Sequence, residues 1–94
     1  MLKVLLAGLG VRGRYWADVI NRSDRSEIVA YADPNPKALA DACQEFGDHP
    51  TYESTEDAIA DRDDIEALVL ANPPIGRESQ IWAAAEKSFP MLIE

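Results

Sequence analysis

The sequence predicts an α/β fold: a doubly wound, all-parallel sheet of about five strands. Three observations carry that prediction. Short apolar runs alternate with segments of helical spacing along the chain. A glycine-rich turn, "GLGVRG" at 8–13, follows the first apolar run directly. The second run ends on an acidic residue, Asp33, 20 residues beyond Gly13. Strands that alternate with helices pair in parallel through right-handed crossovers. The strand order expected for such a sheet is 3-2-1-4-5.

Each element has a local reason. "LKVLLAG" at 2–8 is short, apolar and closed by glycine, as a strand buried on both faces is. The segment 12–22 carries Trp16, Val19 and Ile20 at helical spacing. "SEIVAYAD" at 26–33 is a second strand. A helix follows over 35–47, with Asn35 suited to the N-cap, Pro36 to the first helical position and Gly47 to the C-cap. A short strand is expected over 50–54, then a helix over 54–61. Ser54 or Thr55 can cap that helix, and Glu56 and Asp57 favour its positive end. The run 65–74 is a fourth strand stopped by prolines. The segment 76–88 is a helix with Ile81, Trp82 and Ala85 inward, and "PMLIE" at 90–94 is a fifth strand.

Composition narrows the function. A chain of 94 residues makes one small domain with a modest core. No run approaches the roughly 18 apolar residues of a membrane span. The N-terminal run loosely mimics a signal peptide but lacks an A-x-A-like cleavage site, so a cytoplasmic protein is expected. A net charge of -8 argues against nucleic acid and anionic membranes as partners. It leaves room for a small anionic cofactor held by backbone N–H groups. With one cysteine, Cys43, and one histidine, His49, neither a disulfide nor a zinc cluster is expected. Cys43 reads as a packed thiol, His49 as a surface loop residue, and the acidic stretch 53–66 as a solvated face with helix capping.

The glycine turn is the chemistry-bearing motif. "GLGVRG" fits G-x-G-x-x-G, with a strand before it, a helix after it and an acidic residue ending the next strand. Gly8 permits the tight turn, Gly10 lets the backbone approach a pyrophosphate, and Gly13 lets the helix sit close to the strand. The first helical turn, with Val11 and Arg12, offers free N–H groups and a positive dipole end. Asp33 suits the adenosine ribose hydroxyls. A glycine turn without a ligand is the simpler alternative, and a lone motif would not displace it; the full context favours a dinucleotide and a Rossmann-like domain. Asp33 repels a 2′-phosphate and no arginine follows it, so NAD is favoured over NADP. Arg12 and Arg14 can neutralise phosphate or simply be solvated. Ala71, Asn72 and Pro73, at the end of the fourth strand, would line the cofactor cleft beside the switch point. Trp16 and Trp82 read as packing residues; Tyr15 follows the glycines with the cleft within reach, and no role is assigned to it.

Taken in order, "KVLLAGLGVRG", "VAYADPNP", "ALVLANPP" and "MLIE" resemble the N-terminal half of the glucose–fructose oxidoreductase/inositol dehydrogenase/MocA family. The resemblance spans essentially the whole chain. It implies an NAD(P)-dependent oxidoreductase acting on sugars, polyols or related compounds. In the family the fifth strand runs into a Glu-Lys-Pro motif; Glu94 matches its Glu and is implied at the cofactor site. The motif's Lys, which helps polarise the reacting oxygen, and the substrate domain do not occur within these residues. The domain is thus expected to be truncated before the family's second domain, and no catalytic residue is assigned. Arg77 stands where the family often has His, and Ser88 where it usually has Gly. The rival reading is a non-catalytic nucleotide-binding or assembly module, or an inactive truncated product. The apolar fifth strand predicts self-association.

Overall fold

The structure, a computed structural model, describes residues 1–73 and 76–94. Among the described residues nine elements follow in the expected alternation. They are β1 (Leu2–Ala7), α1 (Val11–Arg22), β2 (Ser26–Ala32), α2 (Pro36–Phe46), β3 (Thr51–Tyr52), α3 (Thr55–Asp61), β4 (Ala67–Leu70), α4 (Arg77–Glu86) and β5 (Met91–Ile93). The five strands pair in parallel in the order β3-β2-β1-β4-β5. Strands β3 and β4 are shorter than the runs that announced them; Pro74, the end of the fourth run, lies outside the described residues.

β1 explains why the sheet is buried on both faces. Val4 and Leu6 pack under α1 and α2 with Ala17, Ile20 and Ala42. Leu5 and Ala7 pack under α3 and α4 with Ala58, Ile59 and Ala84. Alternation along the central strand feeds two cores at once, which is why it reads as a continuous apolar run. One extra residue, Val29, bulges β2 against β1 between Val4 and Leu5. Tyr31 is fully buried, and its hydroxyl donates to the Gly47 carbonyl at 2.8 Å. Burial pushes its pKa up to about 12.

Helix caps form as read. Asn35 Oδ1 accepts from the Lys37 N–H at 3.0 Å, and Ser54, not Thr55, caps α3 by accepting from the Asp57 N–H at 3.1 Å. Two inward assignments fail. Trp82 is 68% exposed and Ala85 is also exposed. The buried row of α4 runs through Ile81 and Ala84, and each of the other two lies one residue, about 100° around the helix, off that row. In α1 the inner row is Gly13, Ala17 and Ile20, so Val19 faces outward while Trp16 is half-buried against the same core. His49 is half-buried rather than a free surface residue: its ring packs 5.5 Å from the Tyr31 ring. The Cys43 thiol donates to the His49 carbonyl at 3.5 Å, a packed group as expected.

α1 and α2 pack in one cluster with Val4 and Leu6 of β1, Ile28 and Tyr31 of β2, and Ala67 and Val69 of β4. Beside them an apolar groove of about 370 Å³ opens between Trp16, Val19, Val69 and Leu92. Among the described residues no helix is long and apolar enough to cross a membrane.

The end of α4 accounts for the Gly-to-Ser departure. The Phe89 N–H donates to the Ala84 carbonyl at 3.1 Å and the Ser88 N–H to Ala85 at 3.0 Å. This is the six-to-one helix ending in which the intervening residue takes the left-handed conformation, and Ser88 has φ 59. A side chain there costs roughly 1 kcal/mol relative to glycine. Ser88→Gly is therefore expected to stabilise the domain by about 0.5–1 kcal/mol in urea denaturation, and Ser88→Ala to give no gain.

Candidate nucleotide-binding site

The site lies where the chain's connections diverge. From β1 the chain turns through α1 toward β2; from β4 it turns through α4 toward β5. The carboxyl ends of these adjacent strands therefore leave a crevice between them, the position at which open α/β sheets bind ligands. A pocket of about 380 Å³ occupies it. It gathers Gly8, Gly10, Asp33, Ala71, Asn72 and Pro73, all anticipated from the sequence, together with Leu9 and Pro34.

The glycines act at different places. Gly8 has φ +92, and a Cβ on it would lie 2.6 Å from the Asn72 nitrogen. A Cβ on Gly13 would lie 1.7 Å from the Gly8 carbonyl oxygen. Helix α1 thus rests directly on the turn, and the turn rests on the end of β4. Gly10 has open space where its Cβ would be. It is the N-cap of α1, makes no side-chain cap, and is followed by no acidic residue in the first turn. The first N–H groups of a helix have no intrahelical acceptor, so this end offers donors and positive potential to an anion.

Asp33 is held in place by the backbone. One carboxylate oxygen accepts the Leu9 N–H at 2.8 Å, and the other accepts the Asn35 N–H at 2.8 Å. A carboxylate has about four acceptor sites, so two remain for a ligand. Leu9 was not singled out in the sequence, because an apolar side chain between two glycines gives no signal that its amide is the anchor.

Four anticipated residues, Val11, Arg12, Gly13 and Glu94, stand outside the pocket lining. Val11 is 87% exposed. Arg12 pairs with Glu94 through Nε at 2.7 Å and through Nη2, and its guanidinium lies 5.0 Å from the centre of the Tyr15 ring. That ion pair ties the start of α1 to the end of β5. Arg14 pairs with Glu45 of α2. Both arginines therefore carry local carboxylate partners.

Comparison with known proteins accords with this geometry. Residues 2–94 match the family model described as the Gfo/Idh/MocA oxidoreductase family, NAD-binding Rossmann fold. The chain belongs to that family. It is the Rossmann, nicotinamide-dinucleotide-binding kind of domain. No curated protein sequence matches it at a significant level. Among solved structures it resembles a scyllo-inositol dehydrogenase from Lactobacillus casei with bound NAD(H) and scyllo-inositol: TM-score 0.90, 23% identity, 99% of this chain and 27% of that one. It also resembles a myo-inositol dehydrogenase from Corynebacterium glutamicum: TM-score 0.87, 27% identity, 99% of this chain and 27% of that one. A 3-ketoreductase from Actinomadura kijaniata, solved with NADP, superposes with TM-score 0.84 at 18% identity, over 98% of this chain and 29% of that one. The chain thus spans little more than a quarter of the length of these proteins.

The glycine geometry separates folding from binding. Gly13→Ala is expected to cost more than about 2 kcal/mol, because the new methyl meets backbone that has no room to yield. Gly10→Ala meets no clash and should cost no more than about 1 kcal/mol in urea denaturation, the loss of a glycine N-cap. A methyl there instead blocks the approach of a phosphate, so the variant should fold and lose dinucleotide affinity.

Proposed function

We propose that residues 1–94 serve as the NAD-holding domain of an oxidoreductase that moves hydride between nicotinamide and a sugar, polyol or related substrate. The observation that carries the cofactor choice is Asp33. Its carboxylate is fixed by two backbone N–H groups, so it cannot swing aside to admit a 2′-phosphate. Its free acceptor sites suit the 2′- and 3′-hydroxyls of an adenosine ribose. Pro34 and Asn35 follow it, and neither neutralises a phosphate. NAD is therefore favoured over NADP, although solved relatives include an NADP complex.

The remaining roles follow from placement. Backbone N–H groups of Gly10, Val11, Arg12 and Gly13 receive the pyrophosphate, while Gly8 shapes the turn. Ala71, Asn72 and Pro73 form the opposite wall. Glu94 contributes through its pair with Arg12, which sets the end of β5 against the glycine turn. The cofactor, when bound, supplies the hydride chemistry. Among the described residues the pocket lining carries no titratable side chain other than Asp33, and no acid–base or substrate role is assigned within it. A cytoplasmic location and a small-molecule partner fit this role. The inositol dehydrogenases among the similar structures support the polyol class.

Calorimetric titration with NADH and NADPH tests the reading. The parent chain should bind NADH more tightly, and Asp33→Ala should weaken NADH by about tenfold or more while sparing NADPH. No binding of NADH at millimolar concentration overturns it. Equal losses for both cofactors overturn the ribose role.

Self-association belongs to the same proposal. β5 is an edge strand, and Met91, Leu92 and Ile93 are all exposed. Its outer main-chain groups form an open template for a second copy. Sedimentation should show mass rising with concentration, and Leu92→Lys should lower it; a monomer throughout contradicts the proposal.

A further inference from the structure

Behind the Asn72 wall lies a polar chain whose other members have no part in the cofactor reading. Thr55, the first residue of α3, is 3% exposed and is the buried polar side chain of the described core. Its hydroxyl donates to Gln80 Oε1 at 2.7 Å. Asn72 Nδ2 donates to the same oxygen at 2.8 Å. Gln80 Nε2 donates onward to the Gly76 carbonyl at 3.1 Å. From the other side, Arg77 Nε donates to Asn72 Oδ1 at 3.4 Å and Arg77 Nη2 to the Asn72 carbonyl. Asn72 is therefore held at both amide atoms and at its backbone oxygen.

The consequence reaches the glycine turn. A Cβ on Gly8 would lie 2.6 Å from the Asn72 nitrogen and 2.9 Å from its Cα, so the two backbones are in direct contact. Any shift of Asn72 displaces either the pocket wall or the turn. The elements that hold it are also tied to each other: Ser79 of α4 donates to Glu56 of α3 at 2.7 Å. A buried hydroxyl carries an uncompensated desolvation cost unless it is hydrogen-bonded, and the bond found for Thr55 leads to Gln80 and thence to Asn72.

We propose that Thr55 and Gln80 are positioning residues of the nucleotide pocket. Neither lines it. They fix the Asn72 side chain, and through it the wall that faces Gly8 and Asp33. The inference rests on the cofactor reading for its effect on affinity, and on geometry alone for its effect on Asn72.

The test compares the parent chain with Thr55→Val, Thr55→Ser, Gln80→Met and Ile59→Val. Ile59 is a buried α3 residue with no part in the polar chain, so Ile59→Val controls for lost stability. Two readouts are taken: NADH affinity, and the NMR signals of the Asn72 side-chain amide and the Gly8 backbone amide. Thr55→Val and Gln80→Met should move both signals and weaken NADH about five- to tenfold. Thr55→Ser should restore both, and Ile59→Val should leave both near the parent values. The proposal falls if Thr55→Val loses no more affinity than Ile59→Val, or if the Asn72 and Gly8 signals do not move. If the parent chain fails to bind NADH, the cofactor reading falls separately. The two signals then still decide: moved signals uphold the positioning of Asn72, and unmoved signals overturn it.

Discussion

The contact on which the rest of this structure depends is made without side chains. At Gly8 three backbone segments meet: the turn leaving β1, the first turn of α1 beneath Gly13, and the start of the connection after β4. A single methyl at Gly8 or Gly13 would collide with main chain. Because that approach is so close, the start of α1 is held at the edge of the crevice that Gly8 and Gly10 line. The same approach puts the Leu9 amide within reach of Asp33. Turn, helix dipole and carboxylate are thus consequences of one packing constraint.

That arrangement also resolves an apparent conflict of charge. The chain carries a net charge of -8, yet its pocket suits a polyanion. Lysines and arginines are not what attracts it; the arginines nearest the turn are paired with Glu94 and Glu45. Exposed ion pairs of this kind contribute little to stability, about 0–1 kcal/mol. Their use is geometric: they tie α1 to β5 and to α2. On the proposed reading the anion is served by fixed peptide dipoles, which act locally and are insensitive to the distant negative surface once screened by salt.

Much of this was legible in the sequence. Strand order, element order, the close packing at Gly8 and Gly13 and the Asp33 position all follow from spacing and from residues with narrow conformational options. Ser88 is instructive: read only as a departure from a glycine, it proves to occupy a left-handed position where that glycine has a physical purpose. What stayed hidden depends on angles and on long-range partners. Apolarity suggested that Trp82 packs inward, but a 100° offset from Ile81 turns it to solvent. Val19 is turned outward by the same kind of offset from Ile20. Leu9, Thr55 and Gln80 give no local sign of their bonds, because their partners lie 24, 25 and 8 residues away. Such bonds are set by the sheet that brings α3, α4 and the β4 end together, and only the fold discloses them.

The central claim is that the crevice between the β1 and β4 ends is where a nicotinamide dinucleotide sits. Its most direct test is a residue-by-residue map of backbone amide shifts during NADH titration. The account predicts the largest movements at Leu9, Gly10, Val11 and Arg12, with further shifts around Asp33 and Asn72. Shifts confined to the apolar groove at Leu2, Val19 and Met91 would contradict it, as would a spectrum that NADH leaves unchanged.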